Sequence, residues 1–384
     1  MLEILHLSPM VILPLAVGLV LLVVLLVVGK VPLGYNVRNL LVRWWVTFLT
    51  ALAFTLVVGL LTVMLAFVNG MYRLTEASGN PGNVMILSDG ATDELFSNLA
   101  KSDTTNIERQ KGVDKAMLKD ADQQEREYPL CSKEVYIVVN QPIPPALGPA
   151  GSTEFRGKIK TIVQDKGEFT IVDLTGIEKT FQPSENPKFN IHALKADDLV
   201  VVAYEQKGQD LLASEVRVSN RRRFVQVRGI EDHRISSRVH DMQLFEGGKW
   251  WGGAGVEDAP GGESGKGALG FIQGVLGEGV ARILGQDQGK ERLEVGDTFE
   301  LGPRKWIVTG IMKSAGSTFG SEIWAKHSIV GPMFGKDQFT CLVVRSRDAA
   351  SAEQLAKFLS TDYRPAVRAE PETTYYEKLS ETNK

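Results

Sequence analysis

The sequence predicts an α+β membrane protein with two N-terminal transmembrane helices, an extracytoplasmic α+β core containing β-α-β units, and an inserted small β-barrel. Three observations predict it. Two uncharged apolar stretches fall within the first 70 residues of a 384-residue chain. Beyond them, period-two apolar runs are interspersed with amphipathic helical ones. Between residues 154 and 220, short strands and turns follow one another with no helix of note.

The first apolar stretch covers residues 9–29 and the second residues 46–68, and neither holds a charge. Each is roughly 20 residues or slightly more, enough to cross a ~30 Å hydrocarbon layer as a helix. A cleavable leader needs a basic start and a small-residue end. Here Glu3 precedes the first stretch without Lys or Arg, and Leu and Val continue up to Gly29, so a retained anchor is expected. The connection between the stretches carries Lys30, Arg38 and Arg43 and no acid, which assigns it to the cytoplasm and everything after Gly70 to the outside.

Within that connection, Val37, Leu40, Leu41 and Trp44 fall on one helical face and Asn36, Asn39 and Arg43 on another. An interfacial helix is expected there, anchored by the Trp44-Trp45 pair.

Outside the membrane, residues 83–87 read as a strand and residues 89–128 as a polar, partly helical stretch. Residues 135–140, VYIVVN, read as a buried strand, and the Pro- and Gly-rich residues 141–153 as a linker. In the block 154–220, Phe155, Gly157, Ile159, Thr161 and Val163 share a strand face. Asp165-Lys166-Gly167 turns the chain into a strand with Phe169 and Ile171, and Val200, Val202 and Tyr204 alternate again before a last strand with Val216 and Val218. About five short strands at this spacing predict a small barrel. The chain resumes with a strand at 224–230, a glycine-rich loop expected to be mobile at 246–267, a strand and helix at 271–284, and a hairpin from 298–301 and 305–312. A strand at 339–345, a helix at 350–359 with Leu355, Phe358 and Leu359 on one side, and a strand at 365–369 complete a β-α-β unit. The expected domains are thus 1–33 (first anchor), 34–69 (interfacial helix and second span), 70–153 (first part of the core), 154–220 (barrel) and 221–384 (second part of the core).

Composition and motifs exclude several functions. Acids outnumber bases in the outer part, which gives no footprint for nucleic acid. Residues 262–267, GESGKG, fail as a phosphate loop: Pro260 stands where the first glycine is needed and Gly267 where Ser or Thr is needed. Gly277 and Gly279 begin a dinucleotide pattern that Arg282 breaks, so a strand-to-helix turn is expected. Glu231, Asp232, His233, His240 and Asp241 match no zinc spacing. The basic run Arg221-Arg222-Arg223 with Arg228 reads as a solvated strand edge. Cys131 and Cys341 are either a disulfide pair or two buried small side chains. No catalytic, cofactor-binding or metal-ligating residue is assigned.

Four segments carry a resemblance to a family. NVRNLLVRWWVTFLTALAFTLVVGLL resembles the interfacial helix and a membrane span of ABC transporter permeases of the MacB/FtsX type. RRRFVQVRGIED resembles the strand opening the second part of their MacB-like periplasmic core domain. GVLGEGVARILG with LEVGDTFELGPRKWIVTGIM is similar to that domain's strand, helix and hairpin, and FGSEIWAKHSIVGPMFGKDQFTCLVVR to its return. The family pattern continues with three further transmembrane helices, whereas this sequence ends at Lys384; it also has an additional first span and the barrel block. The resemblance implies a non-catalytic permease subunit in the bacterial cytoplasmic (inner) membrane. It also implies a separate cytoplasmic ABC ATPase as partner, a homodimer or permease pair, contact with membrane lipids, and an envelope protein or lipoprotein as cargo. No nucleic acid and no cofactor are implied. The alternative is a membrane-anchored extracytoplasmic binding or scaffold module.

Overall fold

The structure is a computed structural model that describes residues 33–76, 79–120, 123–148, 153–174, 176–258, 270–314 and 316–382. The chain divides into two units, Met1–Gly70 and Met71–Lys384. The expected first span lies outside the described residues.

In the first unit, a short helix α1 (Leu33–Val42) is followed, after Arg43, by the start of α2 (Trp44–Glu76). Among the described residues, one stretch, Trp44–Gly70, is long and apolar enough to cross a membrane. Its polar side chains do not interrupt it: the hydroxyls of Thr50, Thr55 and Thr62 donate to the carbonyls of Val46, Ala51 and Val58 one turn back. That satisfies each hydroxyl within the helix, as a hydrocarbon surrounding requires. Phe54, Leu60, Val63, Leu65 and Phe67 are all exposed. An apolar stripe running all around a helix fits lipid contact.

The second unit is built on a ten-stranded sheet. Its strands are β1 (Asn83–Ser88), β4 (Cys131–Pro142), β10 (Arg222–Ile230), β11 (Val256–Glu257), β12 (Phe271–Gly277), β13 (Thr298–Leu301), β14 (Arg304–Met312), β15 (Glu322–Lys326), β16 (Cys341–Arg345) and β17 (Val367–Pro371). They run in the order β13-β14-β12-β15-β10-β4-β16-β1-β17, with β11 paired to β12. Strands β10/β15 and β12/β14 are parallel and the other pairs antiparallel. The hairpin β2 (Lys115–Lys119) and β3 (Glu125–Pro129) stands apart. The expected partly helical stretch thus holds one short helix, α3 (Lys101–Ile107), and this hairpin.

Helices cover both faces, because strands buried on both sides need apolar partners on both. Alternate residues of β1 show this. Val84 and Ile86 pack with Leu355 and Leu359 of α7 (Ala349–Thr361), while Met85 and Leu87 pack with Val239 of α4 (His233–Val239) and with Tyr375 and Tyr376 of α8 (Glu372–Thr382). Phe358, expected on the inner side of α7, is 40% exposed. It lies well around the helix from the stripe that Leu355 and Leu359 define. Helix α7 joins β16 to β17 across the intervening β1, so the β-α-β unit is split by a strand. On the same side as α7, Val225 and Val227 of β10 pack with Val280, Ala281 and Leu284 of α5 (Glu278–Asp287) and Val330 of α6 (His327–Met333). Gly277 caps α5, and a Cβ there would meet the Phe319 carbonyl oxygen at 2.2 Å. This is the strand-to-helix turn expected at that glycine.

Residues 246–258 are better held than the expected mobile loop. Trp251 is 4% exposed within a cluster containing Trp324 and Met312, Trp250 packs against that cluster, and β11 pairs with β12. Residues 259–269, including all of GESGKG, lie outside the described residues.

Strands β5 (Glu154–Val163), β6 (Glu168–Val172), β7 (Glu178–Pro183), β8 (Leu199–Lys207) and β9 (Asp210–Val218) form a closed barrel in the order β5-β6-β7-β9-β8. The first strand pairs with the second and fourth, and the third runs parallel to the fifth. That is the topology of an OB-fold barrel. Phe169, Phe181, Ile171 and Ile159 fill it. The expected inward face of β5 fails at its far end: an irregularity between Ile159 and Thr161 shifts the register, Ile162 packs inward, and Val163 is 43% exposed. One extra residue reverses the in–out alternation. Gly157 is required where β5 meets β6, because a Cβ would lie 2.3 Å from the Val172 carbonyl oxygen.

Candidate functional site

On the α4/α8 face of the sheet, Arg228 of β10 is 1% exposed and surrounded by carboxylates. Its Nε and Nη2 donate to the two oxygens of Glu322 at 2.7 and 2.8 Å, and its Nη1 donates to Glu94 and Glu134 at 2.6 Å each. The Cys341 thiol donates to Glu94 at 3.2 Å, and the Trp324 indole N–H to Glu322 at 2.8 Å. The guanidinium lies over the Tyr136 ring, 5.2 Å from its centroid. The other oxygen of Glu134 accepts from Ser132 and contacts His240 Nε2 at 2.6 Å. His240 Nδ1 faces Glu372 at 3.6 Å. The second Glu372 oxygen accepts from the Asn80 backbone and the Asn83 amide at 2.8 Å each. Eight segments of chain meet here: β1, β4, β10, β15, β16, the turn around Glu94, the end of α4 at His240 and the first turn of α8.

Four buried carboxyls face two cations, so neutrality at the centre calls for protons on some of the carboxyls. Burial pushes Glu94 and Glu372 up, and Arg228 and His240 respectively offset it only in part. Burial alone would also raise Glu134, but His240 and Arg228 overcome it and hold that carboxyl below the usual range. Burial alone would lower His240, and Glu134 and Glu372 reverse this, so the imidazole is raised. Arg228 is raised in the same way by Glu322, Glu94 and Glu134. A cation thus sits wherever an ionised carboxylate needs one.

Ligand-type atoms of Glu94, Glu134 and Cys341 lie within 4.8 Å of one another. A metal would need the same space as Arg228 Nη1, which is 2.6 Å from both carboxylates and 3.8 Å from the sulfur. The guanidinium takes the place of a metal cation, and burial pushes the thiol up, away from the thiolate a metal would bind. Beside this cluster a cleft of about 700 Å³ is lined by Tyr136, Val138, Gln226, Arg282 and Tyr375 among others.

The structure disperses most of the polar residues that the sequence brings to notice. Asp232 caps α4 by accepting from the Arg234 N–H, and His233 stacks beside Trp250. Asp241 pairs with Arg345 at 2.8 Å, and Glu231 with Lys133 at 3.1 Å. Of that group, His240 alone enters the cluster. The basic run is not a solvated edge: β10 lies between β15 and β4, Arg228 is buried, Arg223 pairs with Asp287, and Arg222 donates to Asn140. Cys131 and Cys341 are free and buried. Cys341 stands opposite Glu134 in the sheet, and Cys131, three residues from Glu134, points to the other face. Glu94, Glu134, Glu322 and Glu372 escaped sequence reasoning. For Glu134 and Glu322 a signal existed, since each stands in an apolar strand run where an acid is expected only if paired.

An apolar helix long enough to cross a membrane, followed by an α+β body with a buried ion cluster and an inserted barrel, defines a class: an α+β domain joined to a membrane-length helix. The chain belongs to the family of the MacB-like periplasmic core domain, whose model matches residues 47–361. Membership suggests a component of an ABC-type transporter permease and fits an inner-membrane protein with an extracytoplasmic domain. Among solved structures, the periplasmic region of MacB from Actinobacillus actinomycetemcomitans is 11% identical, covering 79% of this chain and 94% of that one at a TM-score of 0.35. The extracellular domain of the noncanonic ABC-type transporter YknZ from Gram-positive bacteria is 14% identical, covering 40% and 74% at a TM-score of 0.27. Apo-CusF from Escherichia coli is 19% identical, covering 20% and 99% at a TM-score of 0.16. No curated protein matches. The assignment rests on the family match.

Proposed function

We propose that the chain is a non-catalytic permease component of an ATP-driven export or mechanotransmission system, coupling a separate cytoplasmic ABC ATPase to movement of its extracytoplasmic domain. Family membership supports the reading. The observation that carries the relay role is the buried cluster. Through Glu372 and His240 it fastens the first turn of α8 to the sheet, and through Arg228 it fastens β10 to β4 and β15. A body braced in this way moves as a unit, and a ligand or partner shifts it only through contacts that differ between its two positions. The domains before and after the barrel, 70–153 and 221–384, form one lever in this reading, with 154–220 riding on it.

The test has two arms. A reporter active only outside the cytoplasm works when fused after Gly90 and fails after Gly34. In detergent, residues 1–384 capture no ATPase, because a stable interface needs over ~1,000 Å² and α1 is small. Supplying three further membrane helices of the family, in cis or as a second polypeptide, gives capture. Silence of the Gly90 fusion, or no capture with the helices supplied, overturns the reading. Strong capture by residues 1–384 alone moves the coupling surface into this chain and overturns its assignment to the added helices.

A further inference from the structure

Between the barrel and the core lies a cavity of about 420 Å³. Its apolar lining comes from both sides: Phe155, Val172, Leu174 and Leu199 from the barrel, Leu284 and Phe299 from the core. Pockets at domain seams, mostly apolar with a few convergent polar groups, are where small molecules bind.

Three ion pairs surround it. Lys158 pairs with Glu300 at 2.5 Å, Arg217 with Glu154, and Arg223 with Asp287. Asp173 also lines the cavity, and its carboxylate accepts from the Ile177 N–H at the neighbouring turn. Arg156 differs. Its guanidinium donates to the backbone carbonyls of Asp287 and Pro145, and no carboxylate among the described residues forms an ion pair with it. Its Nε is buried with no hydrogen-bond partner, as are those of Arg217 and Arg223. Arg156 also lines a second opening beside Pro144 and Leu147. Burial depresses its pKa, Asp287 and Glu154 offset this in part, and Arg217 adds to the depression. A guanidinium so placed lacks the anion that its planar donors suit.

We propose that this seam binds a small amphiphile with one anionic head, carboxylate or phosphate, the head on the Arg156 guanidinium and the apolar body between Phe155 and Phe299. Phe155 belongs to the barrel's core and Phe299 to that of the sheet, so the ligand joins the two and fixes the barrel in place. This site stands apart from the permease reading, which ATPase capture tests separately.

The experiment uses the full chain in lipid nanodiscs and calorimetric titration with hexanoate, hexyl phosphate and hexan-1-ol, against empty nanodiscs. One saturable site per chain is expected for at least one of the two anions, and their comparison identifies the preferred head. Hexan-1-ol binds at least about tenfold more weakly, as does the preferred anion to Arg156→Gln, because a charge-assisted bond is lost. Leu174→Trp, which fills the cavity and keeps Arg156, abolishes binding while circular dichroism stays that of the parent. Uptake of both anions no greater than by empty nanodiscs overturns the proposal. So does undiminished binding by either variant with the parental spectrum.

Discussion

Arg228 and Glu322 form a two-pronged ion pair across the parallel strands β10 and β15, with side chains only 2% and 3% exposed. Both prongs are N–H to carboxylate bonds, 2.7 and 2.8 Å long, and the remaining guanidinium corner serves Glu94 and Glu134. A lysine would give a point charge without the fork and could not reach all three acids with this geometry.

Removing the cation should therefore be costly. Arg228→Met leaves three carboxyls around an apolar side chain and is expected to destabilise the core by about 3–5 kcal/mol. Urea denaturation of the full chain in nanodiscs, followed by tryptophan fluorescence, measures it. Trp324 donates to Glu322, so it reports directly on the cluster. An unchanged midpoint would show that the cluster braces nothing.

The cluster also predicts a pH dependence. His240 is raised in the folded state, so its contribution is complete below its ordinary value of 6.5 and is lost as pH rises through the folded-state value. Glu94 and Glu372 are raised as well, and the stability tied to their protonated forms is likewise lost as pH rises. Glu134 is lowered and acts oppositely: its contribution is present above the ordinary carboxyl range and is lost as pH falls through the folded-state value. Core stability should thus decline from neutral to alkaline pH, and His240→Gln should flatten the decline. Denaturant midpoints between pH 6 and 9 provide the comparison; the same slope in both proteins would remove His240 from the account.

The barrel should fold by itself. Phe169, Phe181, Ile159 and Val202 form a core of their own, and the bridges to the rest of the molecule include the Lys158–Glu300 pair and the bond from Lys305 to the Leu174 carbonyl. Residues 154–220 expressed alone are expected to unfold cooperatively with a β-type circular dichroism spectrum. Phe181→Ala, at a site with no exposure that packs on Phe155, Phe169 and Tyr204, should cost about 3–5 kcal/mol in that fragment. A helical or non-cooperative signal would end the idea of an independent unit.

Much of this architecture is legible in short stretches of sequence. VYIVVN is a strand because β-branched and aromatic side chains suit a surface buried on both faces, and the helix at 349–361 follows from Leu355 and Leu359 one turn apart. The barrel block announces itself through close turns such as Asp165-Lys166-Gly167, and the run of uncharged residues after Trp45 fixes a membrane-length helix.

Tertiary structure decided the rest. Local alternation says which residues share a face, but not which strand lies beside which, and the place of β10 between β15 and β4 turned an expected solvated edge into the centre of the sheet. The slip in β5 that buries Ile162 in place of Val163 is likewise set by pairing with β6. Most consequential is the ion cluster. Glu94, Glu134, Arg228, His240, Glu322 and Glu372 come from distant parts of the chain, and even where an apolar run marks Glu134 and Glu322 as buried, the sequence does not say with which partners. Burying any one of them unpaired is prohibitive, and only the assembled sheet supplies all the partners at once.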